Sequence, residues 1–181
     1  MTFKQFFPIP VIISVLAVTL VMLDGVIPAT KIPFLWTWIS FQAWAMYFLG
    51  GCTIAGGGKI MLGYLGGAAA SAAIMELMGL LMPHVGAPVA LAIAVFIVVI
   101  GVISAERVPG FSFVPSWFIG AGVFFGVMNL NTTWQWGGGS AWSKYLETGT
   151  FLMVSCLVGQ VYGYVTVLCR TKYEAWVKKA A

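Results

Sequence analysis

The sequence has few charged side chains. Its 181 residues include nine lysines and arginines, five aspartates and glutamates, and one histidine. Charged residues make up 8% of the chain, against about 25% in an ordinary soluble domain. Because a water-soluble fold needs a polar surface, this shortage excludes one. It also leaves few groups for acid–base catalysis.

Motifs for catalysis, nucleotide binding and metal binding are missing as well. His84 has no second histidine, acidic cluster or cysteine pair at ligand spacing. The Gly56–Lys59 segment lacks the spacing and the final Ser or Thr of a phosphate-binding loop. Cys52, Cys156 and Cys169 are odd in number, widely spaced and set in apolar stretches, so they suggest no disulfide framework. We therefore expect no enzyme activity, metal or cofactor.

Apolar residues are abundant instead, at 61% of the chain, and the mean hydropathy is +0.99. One helical span needs about 20 apolar residues. The sequence therefore predicts an all-α integral membrane protein with about six transmembrane helices in a single domain, residues 1–181, surrounded by the lipid bilayer. The predicted spans are Pro8–Ile27, Pro33–Ala55, Ile60–Met82, Ala87–Ala105, Phe111–Leu130 and Leu146–Cys169.

The distribution of basic residues predicts the orientation. If the N-terminus is cytoplasmic, seven basic residues lie inside and only Lys31 and Lys144 lie outside. This bias predicts a bacterial-type inner membrane with both termini in the cytoplasm. It explains the basic C-terminus better than nucleic-acid binding does. The longest break, residues 129–144, is then external, and its three tryptophans suit either the headgroup zone or a lid over a solute entrance.

A short internal similarity predicts a repeat. Phe48–Thr53 resembles Phe118–Val123, and a tryptophan precedes each segment. The halves, residues 1–83 and 84–181, would have three spans each, and an odd number of spans inverts the second copy relative to the first. The alternative is chance recurrence, because glycine is common in membrane helices.

Three Gly-x-x-x-Gly motifs begin at Gly63, Gly122 and Gly159. Such small-residue faces favour close helix packing within or between subunits, so we expect a homo-oligomer. A second interpretation is that Gly50, Gly51, Gly120 and Gly122 let helices break or thin beside a pore.

Ionisable residues inside a span are costly and are therefore functional candidates. Glu76 lies about two turns from the outer end of its predicted span. Glu147 is predicted at the start of a helix, where a negative charge meets the favourable end of the helix dipole.

Short apolar strings also carry a family resemblance. Trp44–Thr53, Gly57–Lys59, Ser112–Pro115 and Trp117–Ala121 are similar to segments of the YcdZ-like family of small bacterial inner-membrane proteins, a domain of unknown function. The resemblance runs over Trp36–Val167. It implies the membrane fold and the location, and it carries no activity.

Together these features predict a passive channel or facilitator for a small neutral or weakly charged solute, such as urea, ammonia, a short amide or a small monocarboxylic acid. The alternative is a non-catalytic subunit that packs within a larger membrane complex. In the channel, aromatic side chains would form the constrictions, and polar groups would offer hydrogen bonds. The individual aromatics also suit lipid-facing or core positions. The predicted path residues are Trp44, Phe48, Gly51, Cys52, Thr53, Glu76, Trp117, Phe118 and Gly122.

Overall fold

The computed structural model describes residues 2–29, 37–130, 134 and 139–180, and all regular secondary structure in these ranges is helical. This confirms the all-α class. Lys31, the predicted span start at Pro33, and residues 131–133 and 135–138 of the tryptophan-rich break lie outside the described residues. The helices are α1 (Phe3–Phe6), α2 (Pro8–Ala29), α3 (Thr37–Leu49), α4 (Ile54–Val85), α5 (Ala87–Ser104), α6 (Val114–Leu130) and α7 (Ala141–Ala180), with a 3-10 turn at Ala105–Arg107.

Four helical stretches in the described ranges are long and apolar enough to cross a membrane. The chain is therefore a multi-pass membrane protein. The other two predicted spans correspond to α3, with 13 residues, and α6, with 17 residues. The described part of each helix is shorter than the roughly 20 residues that a perpendicular span needs. The four long stretches are Phe3–Leu23, Ile54–Val85, Ala87–Arg107 and Ala141–Lys179.

Two predicted breaks are displaced along the chain. Gly56–Lys59 belongs to the first turns of α4, and the break lies just before it, between Leu49 and Ile54. Pro83 lies inside α4, which continues to Val85. Glycine and proline suggest breaks by composition, but local hydrogen bonds decide where a helix ends.

The seventh helix begins earlier than predicted. It starts at Ala141 rather than Leu146, and it continues past Cys169 to Ala180. Glu147 therefore lies in the second turn, where its side chain is 1% exposed. The prediction that Glu147 begins a helix is wrong, because the polar residues before it are already helical.

The chain forms two compact units. The terminal unit comprises Met1–Gly57 with Val154–Ala181, and the central unit comprises Gly58–Met153. In the terminal unit, α2 runs antiparallel to the C-terminal half of α7. The Tyr162 hydroxyl is 3.2 Å from Thr19 Oγ1, and the Tyr173 hydroxyl donates to the Gln5 carbonyl at 2.7 Å.

Small residues set the helix contacts of the terminal unit. A Cβ on Gly159 would lie 2.6 Å from Ala43 Cβ, and one on Gly163 would lie 2.6 Å from Tyr47 Cβ. The motif that begins at Gly159 therefore packs α7 directly against α3, and the two helices run in the same direction there.

The central unit repeats this principle with α4 and α6. A Cβ on Gly67 would lie 2.6 Å from the Ala121 nitrogen, and one on Gly120 would lie 2.6 Å from Tyr64 Cα. Ser71 Oγ also donates to the Ala121 carbonyl at 3.2 Å. Because the backbones come this close, a larger residue at Gly67 or Gly120 would force the two helices apart.

The two segments of the predicted repeat differ in local structure. Phe48 and Leu49 end α3, and the residues after them form a turn, whereas Phe118–Val123 lies wholly inside α6. The described residues therefore add no support for the repeat.

Candidate functional site

An apolar cavity of about 270 Å³ lies within the central unit, lined by α4, α5 and α6. Small residues of α4, such as Gly67 and Ala70, leave room on one side. Four valines of α5 cover another side. Aromatic side chains of α6, including Trp117 and Phe118, complete the lining. The cavity therefore arises where a small-residue face meets bulky neighbours.

Among the described residues of this lining, Trp117 carries the one polar side-chain atom. Its Nε1–H donates to the Phe111 carbonyl at 3.1 Å, just before the start of α6. The indole N–H has no second hydrogen to offer. The side chains around the cavity thus present apolar surface without a free donor or acceptor.

Glycines on α4 and α6 shape the cavity in different ways. A Cβ on Gly66 would lie 2.5 Å from the Trp117 ring, so this glycine lets the indole sit flat against α4. Gly122 lines the cavity and would have no atom within 4 Å of an added Cβ. Gly122 is exposed at the edge of the cavity and has room for a larger side chain there.

Three of the predicted path residues, Trp117, Phe118 and Gly122, come together in this lining. Trp44 belongs to the other unit, where it is 4% exposed and packs in a core with Leu20. Its ring centroid is 5.5 Å from that of Tyr162. Trp44 thus occupies a core position, which was the alternative to a place on the solute path.

Phe48 and the turn after it also belong to the terminal unit. Phe48 is 42% exposed near the end of α3. The Gly51 N–H donates to the Phe48 carbonyl at 3.3 Å, and the Cys52 N–H donates to the Tyr47 carbonyl at 3.1 Å. This pair of bonds is the Schellman helix ending, which requires a left-handed residue, and Gly51 has φ +90°.

Cys52 and Thr53 complete the connection to α4. Cys52 is exposed and has φ +59°. Thr53 Oγ1 accepts from the Gly56 N–H at 2.9 Å and so caps the start of α4. In the structure, Gly51, Cys52 and Thr53 therefore end one helix and begin the next.

Glu76 lies on an exposed face of α4, within the central unit but outside the cavity lining. Its carboxylate interacts with the Tyr145 side chain near the start of α7. The Tyr145 ring also packs against Phe124, with 6.0 Å between the ring centroids. Glu76 thus links α4 to the start of α7.

The burial of Glu147 and of Gln160 was not predicted from the sequence. Glu147 is nearly inaccessible in α7. Gln160 is 7% exposed, and its Nε2 donates to the Ala43 carbonyl at 2.7 Å, while its Oε1 has no partner among the described atoms. The sequence does contain a feature that could have identified Gln160. It is an amide side chain in a long uncharged run, and it lies between the two glycines of a Gly-x-x-x-Gly motif.

Comparison with known families gives one match. The family described as "Protein of unknown function (DUF1097)" matches residues 10–169. The match begins before Trp36, so it includes most of the first long helix, which the resemblance did not cover. Searches of curated proteins and of solved structures found no significant match. Since the family covers most of the chain and is the YcdZ-like family that the sequence motifs indicated, the protein belongs to the DUF1097 family.

Proposed function

We propose that this protein is a passive facilitator for a small uncharged solute. The observation that supports the proposal is the apolar cavity of the central unit, which brings together three predicted path residues on α6. The volume of about 270 Å³ suits a molecule of a few non-hydrogen atoms, since ligand pockets for drug-sized molecules are about 300–1,000 Å³.

The chemistry of the lining narrows the solute. An ion is strongly disfavoured on an apolar surface. An amide moved from water without a compensating hydrogen bond costs about 2–7 kcal/mol. The cavity side chains offer no free partner, because the Trp117 N–H is already bonded. Among the predicted solutes, ammonia and an undissociated small monocarboxylic acid therefore fit better than urea or a short amide.

The test is solute uptake into proteoliposomes that contain the purified protein. We expect ammonia or acetic acid to change the internal pH faster than in protein-free vesicles. Replacing Gly122 by Leu should lower this increase, since the new side chain lies at the edge of the cavity. The Gly126→Leu variant is the control, because Gly126 is also unhindered, lies one turn along α6 and does not line the cavity.

Equal uptake in protein-containing and empty vesicles for every tested solute would contradict the proposal. The alternative, a non-catalytic subunit, predicts that result together with stable copurification of an unrelated membrane protein. Equal loss in the Gly122 and Gly126 variants would show that the effect is not due to the cavity.

The proposal includes a bacterial inner membrane with both termini in the cytoplasm. The basic-residue bias of the loops supports this side. The bond between Tyr173 and Gln5 supports placing the termini together, because it joins the first turn of the chain to the last turns of α7.

The inverted repeat and the homo-oligomer also belong to this proposal. Support for the repeat lies in the sequence similarity of Phe48–Thr53 and Phe118–Val123. Support for self-association lies in small residues that no intramolecular neighbour occupies, including Gly58 and Gly79. Native mass spectrometry of the purified protein tests the oligomer, and a monomer would contradict it.

A further inference from the structure

The N-terminal turn and the last turns of α7 form a basic surface in the terminal unit. The Tyr173 hydroxyl donates to the Gln5 carbonyl at 2.7 Å, which places α1 beside the end of α7. We name this surface the basic end. Its residues are Lys4, Arg170, Lys172, Lys178 and Lys179, with Trp176 among them.

The length of the uncharged run in α7 places the basic end at a boundary of the membrane. Residues 148–169 of α7 contain no charged side chain. At 1.5 Å per residue, this run is about 33 Å long, close to the roughly 30 Å hydrocarbon core of a bilayer. The charges therefore begin in the headgroup zone at Arg170, and the last two lysines lie about 13 Å farther along the helix.

The exposed cations occupy a definite face of α7. Lys172, Trp176 and Lys179 have the i, i+4, i+7 spacing of one helix face, and all three are exposed. Trp176 is 64% exposed, which would be costly in water but suits the level of lipid headgroups. Arg170 instead pairs with Glu174 at 2.8 Å, so the acidic residue of this segment is already engaged.

We propose that the basic end binds the headgroups of anionic phospholipids. Lys172 and Lys179, on one face of α7, attract the lipid phosphates, and Trp176 lies between them along the helix. Lys4 adds a further cation from α1. Basic segments next to a membrane helix attract anionic lipids in this way. The inference is independent of the proposed solute path.

The experiment measures lipid selectivity by electron spin resonance in proteoliposomes. Spin-labelled phosphatidylglycerol should associate with the wild-type protein several-fold more strongly than spin-labelled phosphatidylcholine. The triple variant Lys172→Gln, Lys178→Gln, Lys179→Gln should lose most of this preference. Raising the salt to about 1 M should weaken the wild-type preference, because the Debye length falls to about 3 Å.

A matched control removes the same charge elsewhere. Lys59→Gln, Arg107→Gln, Lys144→Gln takes three cations from other helix ends and should keep the wild-type preference. An equal loss in this control would overturn the proposal, as would an unchanged preference in the first triple variant. Loss of the preference on adding millimolar glycerol phosphate would also overturn it, by showing a site for a soluble anion. The double variant Lys172→Gln, Lys179→Gln tests the same face if the triple variant is poorly expressed.

Discussion

Gly159 shows how a single missing side chain holds two helices together. A Cβ at this position would lie 2.6 Å from Ala43 Cβ and 2.8 Å from the Trp44 backbone nitrogen. We expect Gly159→Ala to lower stability by about 2 kcal/mol, because backbone atoms cannot move aside for the methyl group. Thermal unfolding in detergent measures the change.

Gly149 is the matched control on the same helix, since an added Cβ there meets no atom within 4 Å. Gly149→Ala should be neutral or stabilising by up to about 1 kcal/mol, because alanine favours the helix. If both variants unfold at the same temperature, the close approach of α3 and α7 at Gly159 is wrong.

At this scale the sequence predicts a kind of contact but not its partner. The motifs beginning at Gly63 and Gly159 do pack against other helices, whereas Gly122 and Gly126 face open space. Glycine spacing reports only that a helix face is small. Which face is occupied depends on neighbours that are distant in the sequence.

The C-terminus of α3 depends on a glycine in the left-handed conformation. Gly51 has φ +90°, and an added Cβ there would meet no atom within 4 Å. Gly51→Ala should nevertheless cost about 1–2 kcal/mol, because L-residues with a side chain disfavour the left-handed region. The loss appears as a lower unfolding temperature.

Gly58→Ala provides the comparison, since Gly58 is equally unhindered but lies in ordinary helical conformation inside α4. This second variant should be neutral or slightly stabilising. Equal destabilisation of the two variants would show that backbone conformation is not the reason.

Of the six spans that hydropathy predicts, four correspond to helical stretches in the described ranges that are long and apolar enough to cross a membrane, because long uncharged runs have one stable backbone solution in lipid. Hydropathy placed the break before α4 a few residues late, since Gly56–Lys59 reads as a turn by composition. The Schellman bonds of Gly51 and Cys52 and the Thr53 cap decide the boundary instead. Because the predicted span ran to Ala55, it included Gly51, Cys52 and Thr53, which in the structure form the turn between α3 and α4.

For the whole molecule, the orientation has a direct test. Fluorescent-protein fusions at either terminus should both be fluorescent in bacterial cells, because that reporter folds in the cytoplasm and both termini are proposed to lie there. Alkaline phosphatase fusions at the same positions should be inactive. Activity of either phosphatase fusion would contradict the proposed orientation.

The architecture above single helices was the hardest to predict. The cavity needs the Gly66–Trp117 contact and the valines of α5, and no local pattern announces that these segments meet. Trp117, Phe118 and Gly122 were found through a repeat that the described helices do not support. Their shared location therefore has a different cause, namely the small face of α4 opposite them.

The internal bond of Trp117 has a consequence for membrane energetics. Protons cross proteins along chains of hydrogen-bonded water, and such a chain needs polar groups to anchor it. The lining around Trp117 offers none from its side chains, because the indole N–H is bonded to the Phe111 carbonyl. If a neutral solute crosses here, no parallel leak of free protons accompanies it, and any change of internal pH comes only from ionisation of the solute after it has crossed.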